Sequence, residues 1–249
     1  MRSLLEFLST NVKQSIIHAN DKTIKDIVNE EIDKLGNEAD LNHIDVSACT
    51  SLREVFKDKP LFNGDVSRWD VSNVWDMYYT FANCKSFNGD LSEWDVMSVK
   101  NASNMFYNCE EFNNSSICDW NTDSLQNMHS MFYNCRKFNQ NINSWKTGKV
   151  TDFAYCFQGC SVFNKPLNDW DVSLGSTFRS MFEDCRKFNQ PLDKWTPMNA
   201  TTMESMFRYC EKFNKNLVSW DEYLKSNVYH NNIFDDCFIK FSYKPALLI

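Results

Sequence analysis

The stretch Phe188-Asn189-Gln190-Pro191-Leu192-Asp193-Lys194-Trp195 decides the fold, because its pattern returns along the chain at a fixed step. The step is 25 residues, with a single step of 26 between Phe112 and Phe138. Phe-Asn pairs begin at Phe62, Phe87, Phe112, Phe138, Phe163, Phe188 and Phe213, and the Trp residues in step with them are Trp69, Trp94, Trp120, Trp145, Trp170, Trp195 and Trp220. The chain is therefore predicted to be built from internal repeats.

Cysteine follows the same period as far as Cys210, with a last step of 27 residues to Cys237, and a Phe stands three residues before each repeated Cys. The repeated cysteines are Cys84, Cys109, Cys135, Cys160, Cys185, Cys210 and Cys237. A period of roughly 20 to 29 residues is typical of leucine-rich repeats. The extra residue of the longer step falls between Asn113 and Ile117, which predicts a bulge or a loop insertion there.

Each repeat is predicted to contain a strand, a turn and a short helical segment. Phe-Asn-x-x-Leu-x-x-Trp has the spacing of a strand followed by a turn. Apolar residues then fall at i, i+3 and i+4, as in Met128, Met131 and Phe132, which predicts one face of a short helix or 3₁₀ turn. The residues before the repeated Cys mostly tolerate the left-handed conformation that ends a helix: Asn83, Asn108, Asn134, Gly159, Asp184, Tyr209 and Asp236.

Stacking is predicted to bury the apolar face of each unit against its neighbours. The recurring Phe, Trp, Leu and Met side chains would then form rows along one continuous core. The Asn that follows each first Phe is expected to be structural, its amide bonding to other amides and to turn backbone.

The chain is predicted to have a helical N-terminal cap at 1–36, a repeat body at 37–240 and a C-terminal capping tail at 241–249. The body begins with a degenerate unit, in which Ile44 lies 25 residues before Trp69, and continues with about seven units. The cap has two candidate helices, the second ended by Gly36. A docking or dimerisation helix is the alternative for the cap, and a partner hook is the alternative for the tail. The apolar positions of the helices are Leu4, Leu5, Leu8, Val12 and Ile16, then Ile24, Ile27, Val28, Ile32 and Leu35.

The repeats resemble the BspA-like leucine-rich repeats, the type found in Mycoplasma lipoproteins and surface proteins. Phe188-Asn189-Gln190-Pro191-Leu192, Trp170-Asp171-Val172-Ser173 and Met131-Phe132-Tyr133-Asn134-Cys135 match that pattern. The resemblance covers about 37–240. It implies an α/β repeat fold, namely a curved, right-handed leucine-rich-repeat solenoid of strand and short-helix units, and binding rather than catalysis.

Composition argues against several classes of protein. The net charge of −7 argues against a general nucleic-acid binder. No apolar run approaches the roughly 20 residues of a membrane-spanning helix. Residues 1–19 lack the continuous apolar run of a secretory signal, so a cytoplasmic location and reduced, buried thiols are predicted.

No nucleophile, phosphate-loop or zinc-finger pattern is recognisable, so no enzyme, cofactor or metal site is predicted. An Asp recurs after Trp and could be mistaken for a catalytic carboxylate. We expect these residues to bond to nearby backbone amides in turns instead: Asp70, Asp95, Asp171 and Asp221.

Function is expected at positions that vary between repeats, because the recurring residues are committed to the core. The hypothesis is a non-catalytic intracellular module that binds a partner protein, with a viral or phage inhibitor of a host protein as one form of it. A surface or virion-attached adhesin and, less favoured, an enzyme are the alternatives, and homo-oligomerisation through the caps stays open. The candidate partner-binding residues are Asp65, Asp90, Tyr107, Tyr133, Gln140, Asn141, Lys165, Gln190 and Lys215.

Overall fold

The computed structural model describes residues 15–249. Strand β1 (Ile17–His18) pairs in parallel with strand β2 (Ile44–Asp45), and helix α1 (Ile24–Leu35) lies between them in the chain. Turns and bends make up about half of the remainder, and almost all of the other residues have no regular secondary structure. Four 3₁₀ helices are present in the described residues, at Ser115–Ile117, Val218–Glu222, Phe241–Tyr243 and Ala246–Leu248.

The repeats lie on one another as parallel coils, where a coil is the length of chain in one repeat. Single-residue parallel bridges join each coil to the next, at steps of 25 or 26 residues and a last step of 27, and a further bridge joins Asp40 to Asp65. Eight of the bridge residues form one row: Ser51, Asp76, Asn101, Asn127, Asp152, Thr177, Thr202 and Tyr229. Each residue of this row begins an eight-residue stretch that we call the turn segment. The turn segments are 51–58, 76–83, 101–108, 127–134, 152–159, 177–184, 202–209 and 229–236.

The backbone N–H groups of a turn segment alternate between two partners. Leu52 and Glu54 donate to carbonyls of the following coil, whereas Val55 closes a turn by donating to the carbonyl of Leu52. Four bonds of the first kind join each pair of neighbouring turn segments, at N···O distances of 2.6 to 3.1 Å. The coils are therefore held together by backbone hydrogen bonds even though almost no residue is in a regular strand.

The short helices predicted in the repeats are absent from the turn segments, and that prediction was wrong. Two residues in each segment, four positions apart, have positive φ. A left-handed residue interrupts a right-handed helix, so the i, i+3, i+4 pattern here reports a chain of turns. In seven of the eight segments the second residue of the pair is the predicted one before Cys, and in the first segment it is Asp58, which precedes Lys59. The first residue of each pair was not predicted: Glu54, Tyr79, Asn104, Ser130, Tyr155, Ser180, Ser205 and Asn232.

The strands predicted at Phe-Asn-x-x-Leu are also absent, because this part of the coil is joined to its neighbours mainly through side chains. The Oδ1 atom of Asn63 accepts the backbone N–H of Asn88, and the same bond repeats along the row as far as Asn214. The N···O distances are 2.8 to 3.0 Å. The repeated Asn thus has the structural role expected of it, as an acceptor for backbone amides.

Three rows of aromatic rings fill the interior. Phe81 stacks on Phe106 with ring centroids 5.8 Å apart, and Phe87 stacks on Phe112 at 6.1 Å. Trp120 and Trp145 are 5.9 Å apart in the third row. Every repeated Trp also donates its Nε1–H to a backbone carbonyl of the preceding coil, at 2.8 to 3.1 Å. The ring rows satisfy their polar atoms while burying large apolar surfaces.

Helix α1 matches the second helix predicted for the N-terminal cap. It ends at Gly36, whose φ is 89° and whose N–H donates to the Ile32 carbonyl. Its buried Glu31 lies 3.0 Å from Nε2 of His43 in the first coil. The first predicted helix, from Leu4 to Ile16, falls outside the described residues except at its end, where Ile16 directly precedes β1.

At the C-terminal end the backbone N–H of Lys240 donates to Oδ1 of Asn214 and so continues the Asn row. Leu248 is buried while Ile249 is 62 % exposed. The extra residue near Asn113 is accommodated by the 3₁₀ helix Ser115–Ile117, with Asn114 Oδ1 accepting the Ser116 N–H. The insertion therefore stays local and leaves the register of the coils intact.

Replacing Asn108 tests the left-handed positions. Asn108 has φ 57° and bonds through its amide to Asn83 and Asn134. Asn108→Ala should lower the free energy of unfolding by about 2 kcal/mol, since the left-handed conformation costs an alanine about 1 kcal/mol and the lost bonds about as much again. Asn108→Gly loses only the bonds and should retain more stability. Equal urea midpoints for the two variants would contradict the assigned conformation.

Glu31 predicts a pH dependence of stability. The hydrogen bond from Lys34, with a further one from His43, outweighs burial and holds the Glu31 pKa below the usual 4.5. Its contribution is therefore present above pH 4.5 and disappears as the pH falls through the lowered pKa. Wild type should lose stability relative to Glu31→Gln between about pH 6 and pH 3 in urea titrations. The control is Glu30→Gln on the exposed side of the same helix, and an identical pH profile for the two variants would refute the assignment.

Candidate partner-binding surface

Four tyrosines form a half-exposed surface on three consecutive turn segments, which we call the tyrosine row: Tyr78, Tyr79, Tyr107 and Tyr133. The rings of Tyr78 and Tyr79 meet edge to face with their centroids 4.3 Å apart, and the ring centroid of Tyr79 lies 6.2 Å from that of Tyr107. Tyr107 and Tyr133 stack at 4.5 Å with an interplanar angle of 9°. Two of the predicted partner-binding residues, Tyr107 and Tyr133, are thus brought into direct contact.

Cationic side chains border the tyrosine row at its N-terminal end. The guanidinium of Arg53 lies 4.1 Å from the ring centroid of Tyr78, and the ammonium of Lys57 lies 4.9 Å from that of Tyr79. Both distances are in the range of cation–π attraction. Neither Tyr78 nor Tyr79 was among the predicted site residues.

The turn path places these rings on the outside. Met105 and Phe106 point into the core, and Tyr107, between Phe106 and left-handed Asn108, is displaced outward. Partial burial raises the pKa of Tyr79 and of Tyr107. Both phenols therefore keep their protons at neutral pH and offer an O–H donor beside an apolar ring, a combination favoured at protein interfaces.

Two predicted residues, Gln140 and Gln190, are engaged within the stack. Gln140 Nε2 donates to the carbonyl of Asn113 at 2.6 Å and to Oδ1 of the same residue at 3.0 Å. Gln190 makes the equivalent pair of bonds to Asn164. Their amides reinforce the Asn row, so a partner would compete with these bonds.

The remaining predicted residues lie on the segment after Phe-Asn, away from the tyrosine row in the repeat. Asp65, Asp90 and Asn141 each accept a backbone N–H two residues ahead and are exposed. Lys165 and Lys215 are half-buried and form no salt bridge within residues 15–249. The structure therefore separates the candidates into two surfaces, of which the tyrosine row is the more continuous.

All ten cysteines are unpaired thiols, eight of them buried. In the repeated row, Sγ donates to a phenylalanine carbonyl of the preceding coil, for example from Cys109 to Phe81 at 3.0 Å. Burial raises the pKa of Cys84 to about 12 and that of Cys49 to about 11. These thiols are small core residues with a hydrogen bond and are poor nucleophiles.

The Asp residues after Trp cap turns in three of the four predicted cases. Asp70, Asp95 and Asp171 each accept the backbone N–H two residues ahead, at 2.9 to 3.1 Å. Asp221 instead lies in the 3₁₀ helix Val218–Glu222, and its buried Oδ1 has no hydrogen-bond partner.

A departure from the repeat opens a cleft of about 910 Å³ that was not predicted. Lys146, Thr147 and Gly148 follow Trp145 where the coils of Trp69 and Trp170 have Asp-Val-Ser. Thr147 Oγ1 donates to the carbonyl of Asp171, and a Cβ at Gly148 would lie 2.9 Å from the Asp171 carboxylate. Gly148 therefore leaves room for the Asp171 side chain, and both residues line the cleft.

Among residues 15–249, no group of three or more His, Cys, Asp or Glu side chains is arranged to hold a metal ion. None of the helices in the described part of the chain is long and apolar enough to cross a membrane.

The period, the parallel bridges and the stacked rings define a repeat protein. The chain belongs to the family described as "Mycoplasma protein of unknown function, DUF285", whose model matches residues 24–145 and 128–240. A search of curated proteins and a search of solved structures each found no match.

Thiol labelling tests the cysteine assignments. Cys118 and Cys237 are half-buried, whereas the other eight are buried. Ellman's reagent at about pH 8 should modify at most these two in the native protein, since buried thiols with raised pKa values stay protonated and inaccessible. All ten should react in denaturant, and mass spectrometry identifies the sites. Rapid native labelling of Cys109 or Cys135 would contradict the buried row.

Proposed function

We propose that the chain is a non-catalytic protein-binding module of the cytoplasm, built as a right-handed solenoid of the BspA-like leucine-rich-repeat type. The 25-residue period and the parallel coils support the solenoid. The tyrosine row supports the binding role and is the observation on which the proposal rests. The partner is a protein.

The tyrosine row has the properties of an interface anchor. Its rings present apolar faces and phenol groups from three adjacent coils. Contact between Tyr107 and Tyr133 restricts both side chains before a partner arrives, which lowers the entropy lost on binding. Arg53 and Lys57 add cations at one end of the same surface. Tyr and Arg are the residues most enriched among binding hot spots.

The rest of the repeat explains why the surface varies while the fold does not. The bonds between turn segments use backbone groups, so outward side chains are free to change. The positions equivalent to Tyr107 and Tyr133 in the following coils are Gln158, Glu183 and Arg208. At this position the stacked pair is therefore limited to Tyr107 and Tyr133, whereas half-buried Tyr155 and exposed Tyr209 place further rings at other positions of later turn segments.

Affinity capture tests the proposal. Wild type, Tyr107→Ala/Tyr133→Ala and the control Tyr223→Ala/Tyr229→Ala would be used to capture proteins from the same lysate. Both double variants lose two rings, but only the first loses them from the tyrosine row. Removing two hot-spot aromatics should weaken specific partner binding by about 2 to 4 kcal/mol, so a partner retained by wild type and by the control should be lost from the first variant.

Quantitative mass spectrometry measures the outcome, and circular dichroism verifies that each variant is folded. A protein captured equally by all three chains is not held by the tyrosine row. If no captured protein depends on Tyr107 and Tyr133, the proposed binding surface is wrong.

A further inference from the structure

A second cleft, of about 600 Å³, opens beside the tyrosine row where one coil lacks long side chains. After the repeated Cys, the flanking coils have Arg136-Lys137 and Arg186-Lys187, whereas the coil between them has Ser161-Val162. Two long cationic side chains are thus replaced by two short ones in a single coil. The change produces a notch in an otherwise filled row.

Gly159 extends the notch into the turn segment. It has φ 76° and takes the place of Asn134 in the coil before it and Asp184 in the coil after it. A Cβ at Gly159 would lie 3.3 Å from both Cα and Oδ1 of Asn134. Gly159 therefore packs closely against Asn134, and the middle coil lines the cleft with the short residues at 159, 161 and 162.

Salt bridges hold the two flanking arginines toward anions outside the middle coil. Arg136 Nη1 lies 3.4 Å from the Glu110 carboxylate in the preceding coil. Arg186 Nε lies 2.7 Å from Asp184 and 3.9 Å from Glu211 in the following coil. With coils about 4.8 Å apart, Arg136 and Arg186 border a gap roughly 10 Å wide.

The cleft is cationic in an acidic protein. Its lining includes four cations, Arg136, Arg186, Lys187 and Lys212, against two carboxylates, Asp184 and Glu211. The whole chain has a net charge of −7. Lys187 and Lys212 form no salt bridge within residues 15–249, so two ammonium groups are available to an incoming anion.

We infer that this cleft binds a carboxylate side chain of an acidic segment of the partner protein. A glutamate lying in the notch would place its methylene groups against Val162 and its carboxylate toward the side of the cleft that Lys187 and Lys212 line. Tyr133 is adjacent in sequence to Asn134, which lines the cleft. A partner on the tyrosine row therefore reaches the notch, and the inference rests on the proposed function because it names that partner's chemistry.

The direct test is fluorescence polarisation with a labelled hexaglutamate peptide, and with hexaglutamine as the neutral control. The glutamate peptide should bind saturably and weaken as salt rises, and the glutamine peptide should bind at least tenfold more weakly. Lys187→Gln/Lys212→Gln should weaken glutamate binding at least fivefold. Lys100→Gln/Lys225→Gln, with the same change of charge at lysines outside the cleft lining, should leave it within twofold. Absence of saturable binding up to about 1 mM peptide would overturn the inference.

A filling variant separates the notch from simple charge attraction. Ser161→Arg/Val162→Lys gives the middle coil the residues of its two neighbours, so it suits the fold while adding two positive charges. If the notch is the site, this variant should bind hexaglutamate at least tenfold more weakly. Unchanged or tighter binding would show that only charge matters and would overturn the inference.

The two proposals fail in different ways. If hexaglutamate does not bind but capture of a partner depends on Tyr107 and Tyr133, the inference about the cleft is wrong and the proposed function stands. If hexaglutamate binds but no captured protein depends on Tyr107 and Tyr133, the cleft still binds acidic peptides, and the tyrosine row is not the interface.

Discussion

The structure depends on the alternation of backbone hydrogen bonds in the turn segments. Every second N–H group is donated to the next coil, and the N–H groups between them close turns within the coil. This arrangement requires two left-handed residues in each segment. Side chains offset part of the conformational cost of these residues by forming their own hydrogen bonds between coils. Asn83, Asn108 and Asn134, for example, are left-handed and linked through their amides. The structure tolerates the conformational cost of one left-handed residue because the same contacts form at all seven junctions between neighbouring turn segments.

The regular backbone determines the regular core. Since each coil is placed on the previous one by the same bonds, equivalent Phe rings stack at similar centroid distances, for example 5.8 Å for Phe81 and Phe106 and 5.7 Å for Phe157 and Phe182, and the repeated thiols and indole N–H groups have equivalent carbonyl partners. Recurring residues are therefore accounted for by packing and hydrogen bonding. What remains for recognition is the set of outward positions where neighbouring coils differ, which include the tyrosine row and the notch at Ser161-Val162.

The periodicity of Phe, Trp and Cys was sufficient to predict stacking, the ring rows and the buried thiols, and the pattern Ile24 to Leu35 with Gly36 predicted helix α1. It was insufficient to predict the path of each unit. Apolar residues at i, i+3 and i+4 face one side in a helix, and they also face one side in this chain of turns. Tyr79 and Tyr155 are left-handed, although tyrosine gives no sequence signal for the left-handed conformation. Variation between repeats did not by itself separate binding residues from structural ones, since Gln140 varies between repeats but bonds within the Asn row. The short Ser161-Val162 pair, by contrast, was visible in the sequence as a break in a row of charges.

The central claim is that each 25-residue step advances the chain by one coil. Spin labels introduced through unnatural amino acids at Ser86 and Lys187, and at Ser86 and Lys212, occupy the same position in coils four and five steps apart. Double electron–electron resonance should give backbone separations of about 19 Å and about 24 Å, one inter-coil spacing apart. Equal distances for the two pairs, or a difference of many coil spacings, would contradict the stack.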